Sequence, residues 1–462
     1  MSSPTTLFLA DLAPDIIFSV FALCDICSVV AAGQTCRSMH DLAFDRSVWR
    51  NLLRNLQRRS ILDCTLAVNL ETLSTDQMIS IVRQLITGPQ IWSPPGPDGA
   101  AVAEVSRKIT LHLPTRTGPQ RSQKKAKLLP SGLYVLVDNS GTVECWNVAN
   151  NKLVWRHISA EGLEFAAEED IELAIVVIIL VFSRTGSDDN RRKGANFRSC
   201  VEIVSLDLQT GNHTCLLTVR AVDYNLNKPF AAPVICGTLA AVCINSGANA
   251  WMIINWKAQS YFIVQSPSPT LRVALVPRHI ILMDHSVDRK TQVHLISNDT
   301  LRAYWAPTID VAGPGKLSSV LAEAIPKLST FQETSHQHST GRLHIYIYPS
   351  PLREGEYRVW IHGRFLPQTC LYSYRLSIPS NGEPQWHART PFRAMSISSI
   401  IHSVSYSGHV LRYRTGERWS LLFSSDKSVV NFLDGADSVM LGTYSGTLTH
   451  SMPSSIVIQY FK

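Results

Sequence analysis

Cys24-Asp25-Ile26-Cys27 has the spacing of half a zinc site, two thiols able to reach one ion. No second pair follows at finger spacing, so these cysteines read as core or partly exposed thiols at a helix junction. His336-Gln337-His338 offers two imidazoles in a Ser/Thr/Gln-rich stretch with no third ligand, which is the pattern of a solvated loop. The chain carries no phosphate-cradling glycine loop, nucleophile elbow or His-Glu-x-x-His pair. Asn212-His213-Thr214 and Asn298-Asp299-Thr300 fit the glycosylation pattern, which matters only in a secreted protein. No catalytic, cofactor or metal residue is assigned, and the expected role is a non-catalytic one in binding. Tyr346, Tyr348, Tyr357 and Trp360 could line a binding face, and strand alternation in a β core explains them as well.

The elements around these residues change character along the chain. A length of 462 residues predicts two or three domains, and 45% hydrophobic with 17% charged residues predicts a folded protein. The net charge of +7 is spread over short runs at Arg54, Arg58 and Arg59, at Lys124, Lys125 and Lys127, and at Arg191-Arg192-Lys193. Such runs read as solvated loop faces, so nucleic acid is not the expected partner; a nuclear address at Lys124 to Lys127 and a phosphate contact at Arg191 to Lys193 stay open. Ten cysteines sit in apolar runs such as Val242-Cys243-Ile244, and no signal-peptide pattern opens the chain. A reducing cytoplasmic or nuclear setting is expected. Ile16 to Gly33 is broken by Asp25, and Leu173 to Phe182 is half the ~20 residues a membrane helix needs, so no membrane association is expected.

The first residues are helical in pattern. Pro14 with Asp15 suits a first turn, and Ile16, Ile17, Val20, Phe21 and Leu23 follow at three-to-four-residue spacing. Asp25 can cap a second helix, a third is predicted from Gln34, and Asp45 or Ser47 can start a fourth bearing Val48, Trp49, Leu52, Leu53 and Leu56. So short a unit cannot bury all these side chains, so some should meet a partner or the next domain.

Residues 1–57 resemble an F-box. Leu12-Ala13-Pro14-Asp15-Ile16-Ile17 matches the family's opening, Val20-Phe21 and Asp25-Ile26 its aliphatic-Phe pair and short Asp loop, Thr35-Cys36-Arg37 its Val-Cys-basic stretch, and Leu42-Ala43, Asp45, Ser47 and Val48-Trp49-Arg50 its ending. Ala13 stands where the family has its first proline and Thr35 where it has valine. The resemblance implies docking on an Skp-family adaptor, and through it a cullin scaffold. Leu12, Pro14, Ile16, Ile17, Val20 and Phe21 would furnish the contact, and Val29, Val30 and Trp49 the bundle's own packing.

Residues 58–99 read as a connector. Ser74 and Gln77 form a capping-box pattern ahead of an amphipathic helix with Met78, Ile79, Val82, Leu85 and Ile86, ending near Gly88-Pro89. Trp92 and a Pro/Gly-rich breaker follow, an order similar to that of F-box proteins abundant in mushroom-forming fungi.

From residue 100 to 462 the periodicity is that of strands. Gly132 to Val137, the turn Asp138-Asn139-Ser140-Gly141, Thr142 to Val148 and Lys152 to Trp155 follow the order of a propeller blade and resemble a degenerate WD-type repeat. Further units at Cys200 to Leu208, Leu239 to Trp256, His279 to Ile296, Val404 to Arg414 and Ser438 to Phe461 give about seven blades at ~40–50 residues each. Arg184 to Phe197 and Pro307 to Ser339 read as insertions. Ile456 to Phe461 is expected to pair with Ile109 to Leu113 and close the ring; a β-sandwich is the other architecture open.

The expected fold is therefore α+β and multidomain, with a small N-terminal helical bundle followed by an all-β propeller-like domain. The expected function is that of a substrate-recognition subunit of a cullin-RING ubiquitin ligase, binding an adaptor at the helices and an unidentified protein substrate at the propeller. A non-degradative interaction scaffold is the alternative, and a propeller enzyme a third.

Overall fold

The structure, a computed structural model, describes residues 12–62, 70–89, 105–114, 125–139, 141–158, 161–184, 198–221, 230–245, 249–267, 271–285, 291–307, 319–333, 343–365, 368–388, 392–395, 399–414, 419–422, 428–431, 436 and 438–461. His336, His338, Lys124, Arg191 to Lys193 and Trp92 lie outside them.

Five helices come first: α1 (Pro14–Ala22), α2 (Ile26–Gly33), α3 (Arg37–Ala43), α4 (Arg46–Arg58) and α5 (Thr75–Thr87). Their starts follow local chemistry. Pro14 occupies the first turn of α1, the Asp25 carboxylate accepts from Ser28 N at 2.7 Å, and that of Asp45 accepts from Ser47 N at 2.7 Å. Ser74 and Gln77 close a reciprocal capping box on α5. The third helix starts at Arg37 rather than Gln34, because Gln34 is spent as the C-cap of α2. Val29, Trp49, Leu53, Leu56 and Met78 are buried in one core, so α5 packs with the four preceding helices.

The strands assemble, among the described residues, into seven sheets, each built on a four-strand antiparallel meander. Blade 1 spans residues 126–158, blade 2 161–221, blade 3 230–266, blade 4 272–333, blade 5 344–395 and blade 6 399–431. Blade 7 takes three strands from residues 438–461, and its fourth is Val105–His112, which pairs Ile109 with Ile458 and Leu111 with Ile456. Joining the earliest strand to the last closes the ring and leaves no long open seam. The apolar run read as too short for a membrane span is the second strand of blade 2, Ile175–Arg184, with Val176, Ile178, Ile179 and Leu180 fully buried. No described helix is long and apolar enough to cross a membrane.

One expected insertion is partly structural. Ser329–Glu333 is the outer strand of blade 4, and Ser319–Leu321 pairs in parallel with the outer strand of blade 3. Pro326 and the polar residues after Glu333 flank so short a strand that its period is not visible in sequence. Residues 185–197 lie outside the described residues.

Tyr346, Tyr357 and Trp360 belong to the β core, and Tyr348 packs both there and against the helical cluster. Tyr357 and Trp360 are buried, the Tyr346 hydroxyl donates to His402 O at 3.3 Å, and the Tyr348 hydroxyl donates to Val404 O at 2.6 Å.

Candidate docking surface

The apolar residues of α1 divide between two faces. Ile17 and Phe21, one turn apart, are 1% and 2% exposed and fill the bundle core. Ile16, Val20 and Leu23 follow at i, i+4 and i+7, and are 47%, 38% and 90% exposed. Residues at that spacing share one side, so the helix presents a contiguous apolar stripe to solvent. Pro14 is exposed at the head of the helix, and Leu12 is half-buried against the core.

The six expected contact residues divide in the same way. Ile17 and Phe21 are buried in the bundle core, where they seat α1. Pro14, Ile16 and Val20 remain at the surface. Leu23, not among the expected contact residues, is the most exposed large apolar side chain among the described residues, and its i+7 relation to Ile16 was the available signal. Val29 and Trp49 are buried and Val30 is half-buried, as expected of residues that pack the bundle.

The first helix packs on α3 and α4, which are themselves tied to their neighbours. Trp49 Nε1 donates to Ala43 O at 3.1 Å, and its ring stacks on Phe44 at 5.9 Å. On the outer side of α4, Arg46 Nε donates to Leu73 O at 2.8 Å, while Arg50 and Arg54 meet the Glu71 carboxylate at 2.7 and 2.5 Å. Arginines four residues apart thereby line one helix face along the chain leading into α5.

The bundle rests on the propeller face made by the turns between first and second strands. Cys27 N donates to Leu352 O at 3.2 Å, Arg59 to Ser350 O at 2.9 Å, and Ser60 Oγ to Glu169 O at 3.0 Å. Arg58 pairs with Glu172 at 2.5 Å. Tyr406 of blade 6 and Tyr444 of blade 7 belong to the same buried cluster as Phe21 and Trp49. Gly88, just past α5, has φ +77° and lies against the His409 ring of blade 6.

Between the end of α4 and the propeller lies a cavity of about 890 Å³ lined by Arg59, Ser60, Glu168, Glu169, Trp256 and Tyr357 among others. Burial raises the pKa of both glutamates, and each accepts a backbone N–H, Glu168 from Gly237 at 2.5 Å and Glu169 from Ser131 at 2.7 Å. Lys127, read from sequence as part of a basic run, turns inward to donate to Ala167 O at 3.0 Å, and burial lowers its pKa. These groups tie blades to one another; they form no nucleophile–base pair. Cys24 and Cys27 are partly buried at the corner between α1 and α2, and burial raises the Cys24 thiol. No group of three or more His, Cys, Asp or Glu able to hold a metal occurs among the described residues.

Residues 9–55 match the F-box-like family. No curated protein matches the chain. Among solved structures, the chain is similar to the β-propeller domain of Cps50 (Swd1) from Myceliophteria thermophila at 10% identity and a TM-score of 0.45, over 78% of this chain and 100% of that one. It is also similar to BamB from Moraxella catarrhalis at 10% identity and a TM-score of 0.41, over 78% and 100%. The WD40 domain of SCAP from fission yeast matches at 12% identity and a TM-score of 0.37, over 73% and 84%. The chain thus carries an F-box-like match over residues 9–55 and, among the described residues, seven sheets built on four-strand antiparallel meanders in the order of a β-propeller.

Proposed function

We propose that this protein is the substrate-recognition subunit of an SCF-type ubiquitin ligase. The observation that carries the reading is the solvent-facing stripe of Ile16, Val20 and Leu23 on α1, within the stretch that matches the F-box-like family. An Skp-family adaptor would take this stripe as an apolar helix face in a groove, and through the adaptor the chain would join a cullin scaffold. The propeller would present a protein substrate from the face opposite the helices, where turns between second and third strands such as Met452 to Ser454 lie.

The chain's contribution to ubiquitin transfer is then positional. Holding substrate lysines near the transferring enzyme raises their effective concentration without a catalytic group on this chain. Cys24, Cys27, Cys36, Cys145, Cys215 and Cys236 are free thiols, which supports a reducing cytoplasmic or nuclear setting. The test is capture of a purified Skp-family adaptor by the full chain and by an Ile16→Asp/Val20→Asp variant, which alters the stripe and spares the core. Strong capture by the first and none by the second is expected; equal capture by both contradicts the proposal.

A further inference from the structure

We infer that the propeller is the template that holds the docking helix in shape, so that occupancy of the α1 stripe and the stability of blades 5, 6 and 7 are linked. The inference rests on the docking reading above for its adaptor arm, and on the interface alone for the rest.

Helices of nine and eight residues, the lengths of α1 and α2, are marginal by themselves and take their order from packing. The cluster that buries Ile17, Phe21, Ile26 and Val29 also takes side chains from the propeller. Tyr406 and Tyr444 are 7% and 4% exposed within the helical core, their rings 5.4 Å apart. Tyr348 and Leu352 of blade 5 pack against the same cluster. Each tyrosine is itself fixed from the propeller side. The Tyr444 hydroxyl donates to Pro349 O at 2.8 Å, and the Arg358 guanidinium lies 4.9 Å over the Tyr406 ring while donating to Tyr406 O at 2.5 Å. Cys27 N, in the first turn of α2, completes the joint by donating to Leu352 O. Domains tethered only by a linker move independently, whereas a shared apolar core couples their opening. Linkage then runs both ways: a ligand that orders α1 also stabilises the turns beneath it.

Hydrogen exchange on the full chain tests this. In Tyr406→Ala/Tyr444→Ala, amides of α1 and α2 are expected to exchange about tenfold faster, with strands of blades 2 to 4 unchanged. Tyr444→Phe removes only the hydroxyl and is expected to speed the same amides about fivefold, which keeps the test open if the double variant does not fold. Ile158→Ser, at a side chain 76% exposed on the outer strand of blade 1, is the control and should change nothing in α1. A purified Skp-family adaptor added to the wild type should slow exchange at the Ser350 to Leu352 and Tyr444 turns. Wild-type exchange in α1 and α2 of both tyrosine variants would overturn the inference. An adaptor that fails to bind the wild type overturns the docking reading instead, and the exchange rates without adaptor still decide the coupling.

Discussion

The backbone amide of Cys27 donates to the carbonyl of Leu352 at 3.2 Å, joining the first turn of α2 to a turn of blade 5. That bond crosses from the bundle to the propeller, and Arg59 to Ser350 O crosses close by. The corner between α1 and α2 is thus bound to the blades, while the outward face of α1 is left open. The exposed stripe of α1 and the contacts to the propeller belong to one small bundle.

Adjacent isoleucines of α1 should behave oppositely. Ile17→Ala, at 1% exposure, is expected to cost ~2–5 kcal/mol in denaturant unfolding. Ile16→Ala, at 47% exposure, should stay within about 0.5 kcal/mol of wild type. Equal losses at both positions would remove the division of the helix into a core face and an exposed face.

Gly88→Ala should loosen the joint between α5 and blade 6. A Cβ at this position would lie 2.6 Å from His409 Cε1 and 2.9 Å from Ser407 Oγ, and φ is +77°. The expected loss is ~1–3 kcal/mol of thermal stability. An unchanged melting midpoint would show that α5 is not seated on His409.

Asp138 sets a pH dependence. It is 6% exposed, one carboxyl oxygen has no hydrogen-bond partner among the described residues, and burial pushes its pKa up to about 6. A raised folded value means that the folded state holds its proton longer than the unfolded chain does. The contribution is fully present below about pH 4 and is lost as pH rises through about 6, an effect on the order of 1–3 kcal/mol. Asp138→Asn should flatten the difference in this window and match or exceed wild-type stability above pH 6. Parallel wild-type and variant curves between pH 4 and 7 would rule this out.

The ion pairs on α4 should matter little. Glu71 is half exposed where it meets Arg50 and Arg54, and solvent screens such pairs. Glu71→Gln is expected to change stability by no more than about 1 kcal/mol, read from denaturant midpoints. A larger loss would assign the arginine row a structural weight that its exposure argues against.

Much of the architecture was legible because its signals are local. Pro14, Asp25, Asp45 and the Ser74–Gln77 box announce helix starts through side-chain bonds to neighbouring amides. The Asp138 to Gly141 turn between alternating runs announces a hairpin, and the pairing of the last strand with Val105–His112 follows from the need to close a ring. What was not legible depends on distant residues. Ile16 and Ile17 are the same residue type one position apart, and only the placement of α4 and the propeller turns decides which is buried. Tyr406 and Tyr444 look like strand-end aromatics until the fold brings the bundle, hundreds of residues earlier in the chain, onto them. Lys127 reads as part of a basic run because its acceptor, Ala167 O, belongs to the next blade.

The most direct test of the central claim is quantitative binding of a purified Skp-family adaptor to the full chain and to Ile16→Asp/Val20→Asp, with unfolding curves on both. The account predicts tight capture by the wild type, loss of at least about 100-fold in affinity by the variant, since two hot-spot contacts are removed, and superimposable unfolding. Equal affinity for both proteins, or no adaptor binding by the folded wild type, would contradict it.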